Sequence, residues 1–154
     1  MADVEQYKYN PPRVVGFYGL SGSGKTTLIE LVVRALRERG LRAAVIKQSR
    51  HAPEMDTPGK DTWRYAQAGA NPVVFHAQGE SVLFLPGGTT VKDLIGMLAA
   101  MGQDRPDIIL VEGARDEEIP KVRVGDIKAR TNTVMDYDGD FEALMNLILE
   151  GVTE

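Results

Sequence analysis

The sequence predicts an α/β protein: a three-layer α/β/α arrangement with a mostly parallel sheet and an antiparallel hairpin at its edge. Three observations lead there. Apolar strand-like runs alternate with helical patterns, the runs lack the strict polar alternation of a half-exposed sheet, and a glycine-rich loop joins the first run to the first helical pattern.

"RVVGFY", Arg13 to Tyr18, is a short apolar run and reads as a buried strand. From Lys25 onward Leu28, Leu31, Val32, Ala35 and Leu36 recur at helical spacing, and Gly40 stands where a C-terminal cap belongs. "RAAVIK", Arg42 to Lys47, gives the second strand, and the polar stretch Gln48 to Lys60 a long loop. A short helix follows from Asp61 to Ala68, closed by Gly69. "PVVFHA" and "SVLFLP" are strands so close together that an antiparallel hairpin or adjacent edge strands are expected. Thr89 or Thr90 then caps a helix carrying Val91, Leu94, Ile95 and Leu98. "DIILVEG", Asp107 to Gly113, is an apolar strand that delivers an acid at its end. Short strands near Lys121 to Val124 and Thr133 to Met135, and a helix from Phe141 to Leu149, complete the chain.

These elements suit one domain over residues 13–154, after a flexible N-terminal segment over residues 1–12. The composition is that of an ordinary globular protein, 43% hydrophobic and 26% charged. A net charge of -4 leaves no general cationic field, so nucleic acid is not expected as a partner. Arg34, Arg37, Arg39 and Arg42 interleave with Leu36, Glu38 and Leu41 as a solvated helix face does. The absence of cysteine excludes disulfides, thiolate metal sites and a cysteine nucleophile. Without a signal core or a run of 18 apolar residues, a cytoplasmic protein with no membrane partner is expected.

Gly19-Leu20-Ser21-Gly22-Ser23-Gly24-Lys25-Thr26 fits G-x-x-x-x-G-K-[ST], with a strand before it and a helix after it. In such a phosphate-binding loop the backbone N–H groups turn inward as a nest, and the helix N-terminus adds roughly half a positive charge. Lys25 brings a point charge to the β- and γ-phosphates, the Thr26 hydroxyl is positioned to ligate Mg²⁺, and Thr27 faces the α-phosphate region. A dinucleotide fingerprint fits poorly, because Thr27 stands where its third glycine belongs. The loop therefore predicts a nucleoside triphosphate with magnesium, on a P-loop NTPase fold.

Ligands of parallel sheets sit at the carboxyl ends of the strands, where the loop, the segment after Lys47 and Glu112 would meet. Glu112 is placed there as a Mg²⁺ carboxylate and a candidate catalytic group beside Lys25; the alternative is an acid in a surface turn. Gly113 would permit close approach to a γ-phosphate. In the loop His51 to Arg64, Asp56 could reach the metal or its water, and Lys60 and Arg64 could grip an anionic second ligand. Asp61 either joins them or caps the helix it opens. His76 and Trp63 fit structural roles better than functional ones. Asp136 and Asp138 sit either in a base-reading loop or in an exposed acidic turn.

The glycine loop, the strand ending Val45-Ile46-Lys47, the segment Asp56-Thr57-Pro58-Gly59-Lys60-Asp61-Thr62, Ala68-Gly69-Ala70, Leu110-Val111-Glu112-Gly113 and Ile119-Pro120-Lys121 together resemble the MobB family. These are the molybdopterin-guanine dinucleotide biosynthesis adapter proteins. The resemblance implies a P-loop protein, usually dimeric, that binds GTP with weak GTPase activity. It would assist the guanylyltransferase MobA, which joins GMP to molybdopterin. It also implies that Lys25, Thr26 and Thr27 hold phosphate and metal, that Asp56, Lys60 and Asp61 lie in the family's motif loop, and that Glu112 ends the acidic strand. One departure stands out: members commonly carry histidine after the strand-end lysine, where this chain has Gln48, then Ser49, Arg50 and His51.

Guanine selectivity rests on the resemblance, because no N-K-x-D tetrad occurs. Rapid hydrolysis needs a positive group to meet developing charge, and the sequence signals none clearly. Arg115 and Arg123 are candidates across a dimer. A small-molecule kinase using ATP shares the loop but needs an arginine-bearing lid, whereas "PGGTTVKDL" after Leu85 has no arginine. A third reading is a nucleotide-gated interaction module with no substrate of its own.

Overall fold

The computed structural model describes residues 10–51 and 58–150. The predicted N-terminal segment falls largely outside them, since residues 1–9 are not described. The chain divides into two compact units, Met1–Gln48 with Ile95–Glu154 and, by itself, Ser49–Leu94.

The first unit is built on five parallel strands in the order β2-β5-β1-β6-β7. They are β1 (Arg13–Tyr18), β2 (Ala43–Lys47), β5 (Ile108–Glu112), β6 (Lys121–Val124) and β7 (Thr133–Tyr137). The helices are α1 (Lys25–Glu38) and α4 (Phe141–Leu149), with α3 (Val91–Ala99) beginning in the second unit and ending in the first. Strand period explains the core. Val15 and Phe17 of β1, Ile108 and Leu110 of β5, and Val122 and Val124 of β6 share one face and pack with Leu28, Val32 and Leu36 of α1 and Leu144 and Ile148 of α4. Ile109 and Val111 point to the opposite face and are also fully buried, so the sheet is covered on both sides, as its apolar strands require.

Local signals terminate the elements where expected. Gly40, at φ 73°, follows α1, where its N–H reaches the Arg37 carbonyl while the Leu41 N–H reaches that of Leu36. Asp140 caps α4 by accepting the Ala143 N–H at 2.9 Å.

In the second unit, α2 (Asp61–Gln67) precedes a two-stranded antiparallel sheet of β3 (Val73–Ala77) and β4 (Glu80–Phe84). The hairpin forms its own sheet rather than edging the parallel one. Its register pairs Ala77 with Glu80, leaving Gln78-Gly79 as a two-residue turn, with Gly79 at φ 86°. Thr90 opens α3 with a reciprocal cap: its hydroxyl accepts the Asp93 N–H at 3.1 Å, and the Asp93 carboxylate accepts the Thr90 N–H at 2.8 Å. Those Thr90 bonds hold the Asp93 carboxyl below its ordinary range. Among the described residues no helix is long and apolar enough to cross a membrane.

Candidate nucleotide site

The phosphate loop leaves β1 at Tyr18 and enters α1 at Lys25. Gly22 and Gly24 take left-handed backbone, at φ 76° and 88°, which turns the chain tightly enough to close the loop. Gly19 is required for a different reason: a Cβ there would collide with the Val124 carbonyl oxygen at the end of β6. Gly24 is the N-cap of α1 and has no side chain to satisfy the helix N–H groups, and the first turn carries no acid. A helix N-terminus in that state favours an anion.

Lys25 Nζ donates to the Leu20 carbonyl at 2.8 Å, so the ammonium folds back over its own loop. Thr26 Oγ1 lies 3.5 Å from Glu112 Oε1. The parallel register causes this: Phe17 and Lys47 both pair with Glu112, which sets the acid at the carboxyl edge beside the loop that leaves β1. Both groups are hard oxygen donors of the kind Mg²⁺ takes, and the ion characteristically uses one or two protein oxygens and completes its shell with phosphate and water. Among the described residues there is no cluster of three or more histidine, cysteine or carboxylate side chains that could hold a metal ion. Ser21 and Thr27 are exposed on the loop and on the first turn of α1.

The segment after Glu112 is pinned rather than open. Gly113 stands at φ 79°, gives its N–H to the Phe17 carbonyl at 2.8 Å, and would place a Cβ 2.5 Å from the Gln48 carbonyl. The close approach that the structure gives Gly113 is to the Gln48 carbonyl. The Gln48 side chain joins in, its Oε1 accepting the Arg115 N–H at 3.1 Å while its own N–H reaches the Glu112 carbonyl at 2.9 Å. At this position the chain uses an amide to tie β2 to the turn that carries Glu112.

Two cations that sequence reading gave no role hold the same edge. Lys121 is fully buried, and its ammonium donates to the carbonyls of Asp116, Ile119 and Thr131. Burial pulls its pKa below the ordinary lysine value, with the Asp116 carboxylate opposing. Arg130 donates to the Ala114 carbonyl at 2.7 Å, and its guanidinium carbon lies 4.7 Å from the centre of the buried Tyr18 ring. The Tyr18 hydroxyl accepts the Arg130 N–H at 3.0 Å and meets Thr133 Oγ1 at 2.6 Å. Since Thr133 Oγ1 donates to the Arg130 carbonyl, the tyrosine proton goes to Thr133 and the chain closes. The pattern Ile119-Pro120-Lys121 marked the lysine, but nothing local in the sequence marked Arg130.

The other predicted residues divide by unit. Lys60 and Asp61 belong to the second unit, where Lys60 precedes α2 and Asp61 Oδ1 accepts the Thr62 N–H at 2.9 Å. Asp56 lies outside the described residues. His76 Nδ1 meets Ser81 Oγ at 2.8 Å across the hairpin, a structural pairing. Arg123 is engaged within its own chain by Asp136 Oδ1 at 2.6 Å and the Ile127 carbonyl at 2.9 Å, whereas Arg115 is exposed. Asp138 accepts the Asp140 N–H at 3.0 Å, which makes the acidic turn after β7 part of the α4 cap.

Comparison with known proteins decides the family. The family profile described as molybdopterin guanine dinucleotide synthesis protein B matches residues 14–146. The chain belongs to the MobB family. Over 109 residues it is 37% identical to the molybdopterin-guanine dinucleotide biosynthesis adapter protein of Haemophilus influenzae, covering 71% of this chain and 61% of that one. The Escherichia coli protein of the same description is 36% identical, with 71% and 63% covered. The chain thus spans about three-fifths of the length of these relatives. The crystal structure of Bacillus subtilis MobB superimposes with a TM-score of 0.68 at 26% identity, covering 90% of this chain and 97% of that one. A MobB homologue from Bacillus stearothermophilus shares the fold, with a TM-score of 0.58 at 22% identity over 89% and 98% of the two chains. MobB membership extends over both units and includes the phosphate loop, Glu112 and the Lys121 anchor.

Proposed function

We propose that the protein is a GTP-binding adapter with weak GTPase activity, acting in the cytoplasm in synthesis of the guanine dinucleotide form of molybdenum cofactor. The observation that carries the reading is the phosphate loop with Thr26 and Glu112 side by side at its mouth. In this reading the backbone of Gly19, Ser21, Gly22, Ser23 and Gly24 cradles the phosphates. Lys25 leaves the Leu20 carbonyl for the β- and γ-phosphates, and Mg²⁺ is held through Thr26 and Glu112. The ion would neutralise charge on the phosphate oxygens; the chain's own residues bind and orient them.

Slow turnover fits what surrounds the loop. Arg123 is tied to Asp136 and Arg130 donates to the Ala114 carbonyl, so an arginine to meet developing charge is best supplied by another chain. The relatives' description as adapter proteins of molybdopterin-guanine dinucleotide biosynthesis supports a partner in that synthesis, which we take to be a MobA-type guanylyltransferase with molybdopterin as the shared substrate. A homodimer is supported by the hairpin, where Val74 and Leu83 pair across the strands and both are exposed, because a two-stranded sheet with apolar faces gains from a further surface.

The test is calorimetric titration with GTP and ATP in Mg²⁺, with phosphate release followed in the same samples and sedimentation giving the oligomeric state. Tight GTP binding, slow release and faster release with the guanylyltransferase support the reading. Preference for ATP, with turnover raised by a small acceptor, would replace it with a kinase.

A further inference from the structure

A cavity of about 230 Å³ lies beside the phosphate loop, on the side of β1 opposite the metal residues; it shares Ser21, Gly22 and Ser23 with the phosphate cradle, whereas Leu20, Val124, Gly125 and Asp126 have no part in holding phosphate or metal. It is walled by the outer part of the loop, from Leu20 to Ser23, and by Val124, Gly125 and Asp126 where β6 ends. The sheet order explains the placement. β1 has β5 on one flank and β6 on the other, so Glu112 and Thr26 mark one side of the loop and Asp126 the other. A nucleoside triphosphate bound to this loop with its metal at Thr26 has its nucleoside end to place elsewhere.

The lining suits a planar base. Leu20 is 59% exposed, an apolar side chain on the loop with no core to enter. Gly125, at φ 81°, presents backbone without a side chain and lies against Ser23, 3.6 Å from its Cβ to the position a Cβ would take. Ser23 Oγ is buried and has no hydrogen-bond partner among the described residues, an orphaned polar atom in the wall of the cavity. Asp126, the acid of this lining, is exposed at its rim.

We infer that this cavity takes the guanine base of the bound nucleotide and that Asp126 accepts its N1–H and N2 amino hydrogens. This deepens the GTP-binding reading and rests on it. Guanine presents two donors on that edge, whereas adenine presents an unprotonated nitrogen at position 1 and no amino group at position 2. A carboxylate is acceptor-only and therefore selects guanine. The chain lacks the N-K-x-D tetrad, and Asp126 supplies the same acceptor from the end of β6.

Calorimetry with Mg²⁺ tests this on the whole chain, comparing GTP, ATP, inosine triphosphate and xanthosine triphosphate. For the wild type, inosine triphosphate, which lacks the amino group, binds about tenfold more weakly than GTP. Asp126→Asn binds GTP at least about tenfold more weakly and gains xanthosine triphosphate, whose carbonyl at position 2 accepts from the new amide. Equal wild-type affinity for GTP and inosine triphosphate overturns the inference while leaving the phosphate-loop reading intact. So does an Asp126→Asn protein that keeps wild-type GTP affinity, or that loses GTP and ATP alike. Failure of the wild type to bind any of the four overturns both. The wild-type comparison stands even if the variant fails to fold.

Discussion

Thr26 Oγ1 and Glu112 Oε1 come within 3.5 Å although 86 residues separate them in sequence. Two parallel pairings produce the meeting, because β5 lies between β1 and β2 and ends level with both. If one Mg²⁺ joins the pair, they work as a unit. Thr26→Ala and Glu112→Gln should each lower GTP affinity in Mg²⁺ and change it little in excess chelator. The double variant should lose much less than the sum of the two. Additive losses in a calorimetric double-mutant cycle would separate the residues and remove the shared ion.

Lys25 makes its hydrogen bond to an exposed carbonyl of its own loop, so the fold has little stake in it. Lys25→Ala should weaken GTP binding about tenfold to a hundredfold, the worth of a charged hydrogen bond to phosphate, with little change in thermal midpoint. Filter binding alongside thermal unfolding checks both halves. A large drop in midpoint would recast the lysine as structural.

The parallel sheet was legible because its strands are apolar without alternation, and the ends of β1, β6 and α4 coincide with the sequence reading. β7 runs on to Tyr137, past the expected Met135, since Asp136 and Tyr137 pair with Arg123 and Val124 of β6. Strand propensity carries no information about such a neighbour. The phosphate loop was legible for a local reason: its chemistry is backbone geometry, which glycine spacing encodes. Arg130 was not, because its role depends on the Tyr18 ring, 112 residues away, and on carbonyls beyond β5. Gln48 likewise gains meaning only when β2 and β5 lie side by side.

Lys121 joins the segment after β5 to the segment before β7 through three carbonyls, within a buried site. Lys121→Met keeps much of the apolar stem and strands those acceptors, at a cost of at least about 2 kcal/mol in urea unfolding. The pH dependence has a definite sign. Its folded pKa lies below the ordinary 10.5, so the unfolded chain binds more protons in the window between the two values. Wild type therefore gains stability relative to Lys121→Met as pH rises through that window, and loses the gain as pH falls through the folded pKa. A flat difference between the two proteins across alkaline pH would contradict the assignment.

Gly113 and Gly40 separate two costs of replacing glycine. Both have left-handed backbone, at φ 79° and 73°, so alanine at either position pays a similar backbone strain of about 1 kcal/mol. Around Gly40 a new Cβ meets nothing within 4 Å, whereas at Gly113 it meets the Gln48 carbonyl at 2.5 Å. That oxygen belongs to backbone at the end of β2 and cannot swing aside as a flexible side chain would. Gly113→Ala should therefore destabilise the fold clearly more than Gly40→Ala. It should also lower Mg²⁺-dependent GTP affinity, because the turn it distorts follows directly on Glu112. Equal urea midpoints for the two variants would show that the strand end yields, and nucleotide affinity should then be unchanged as well.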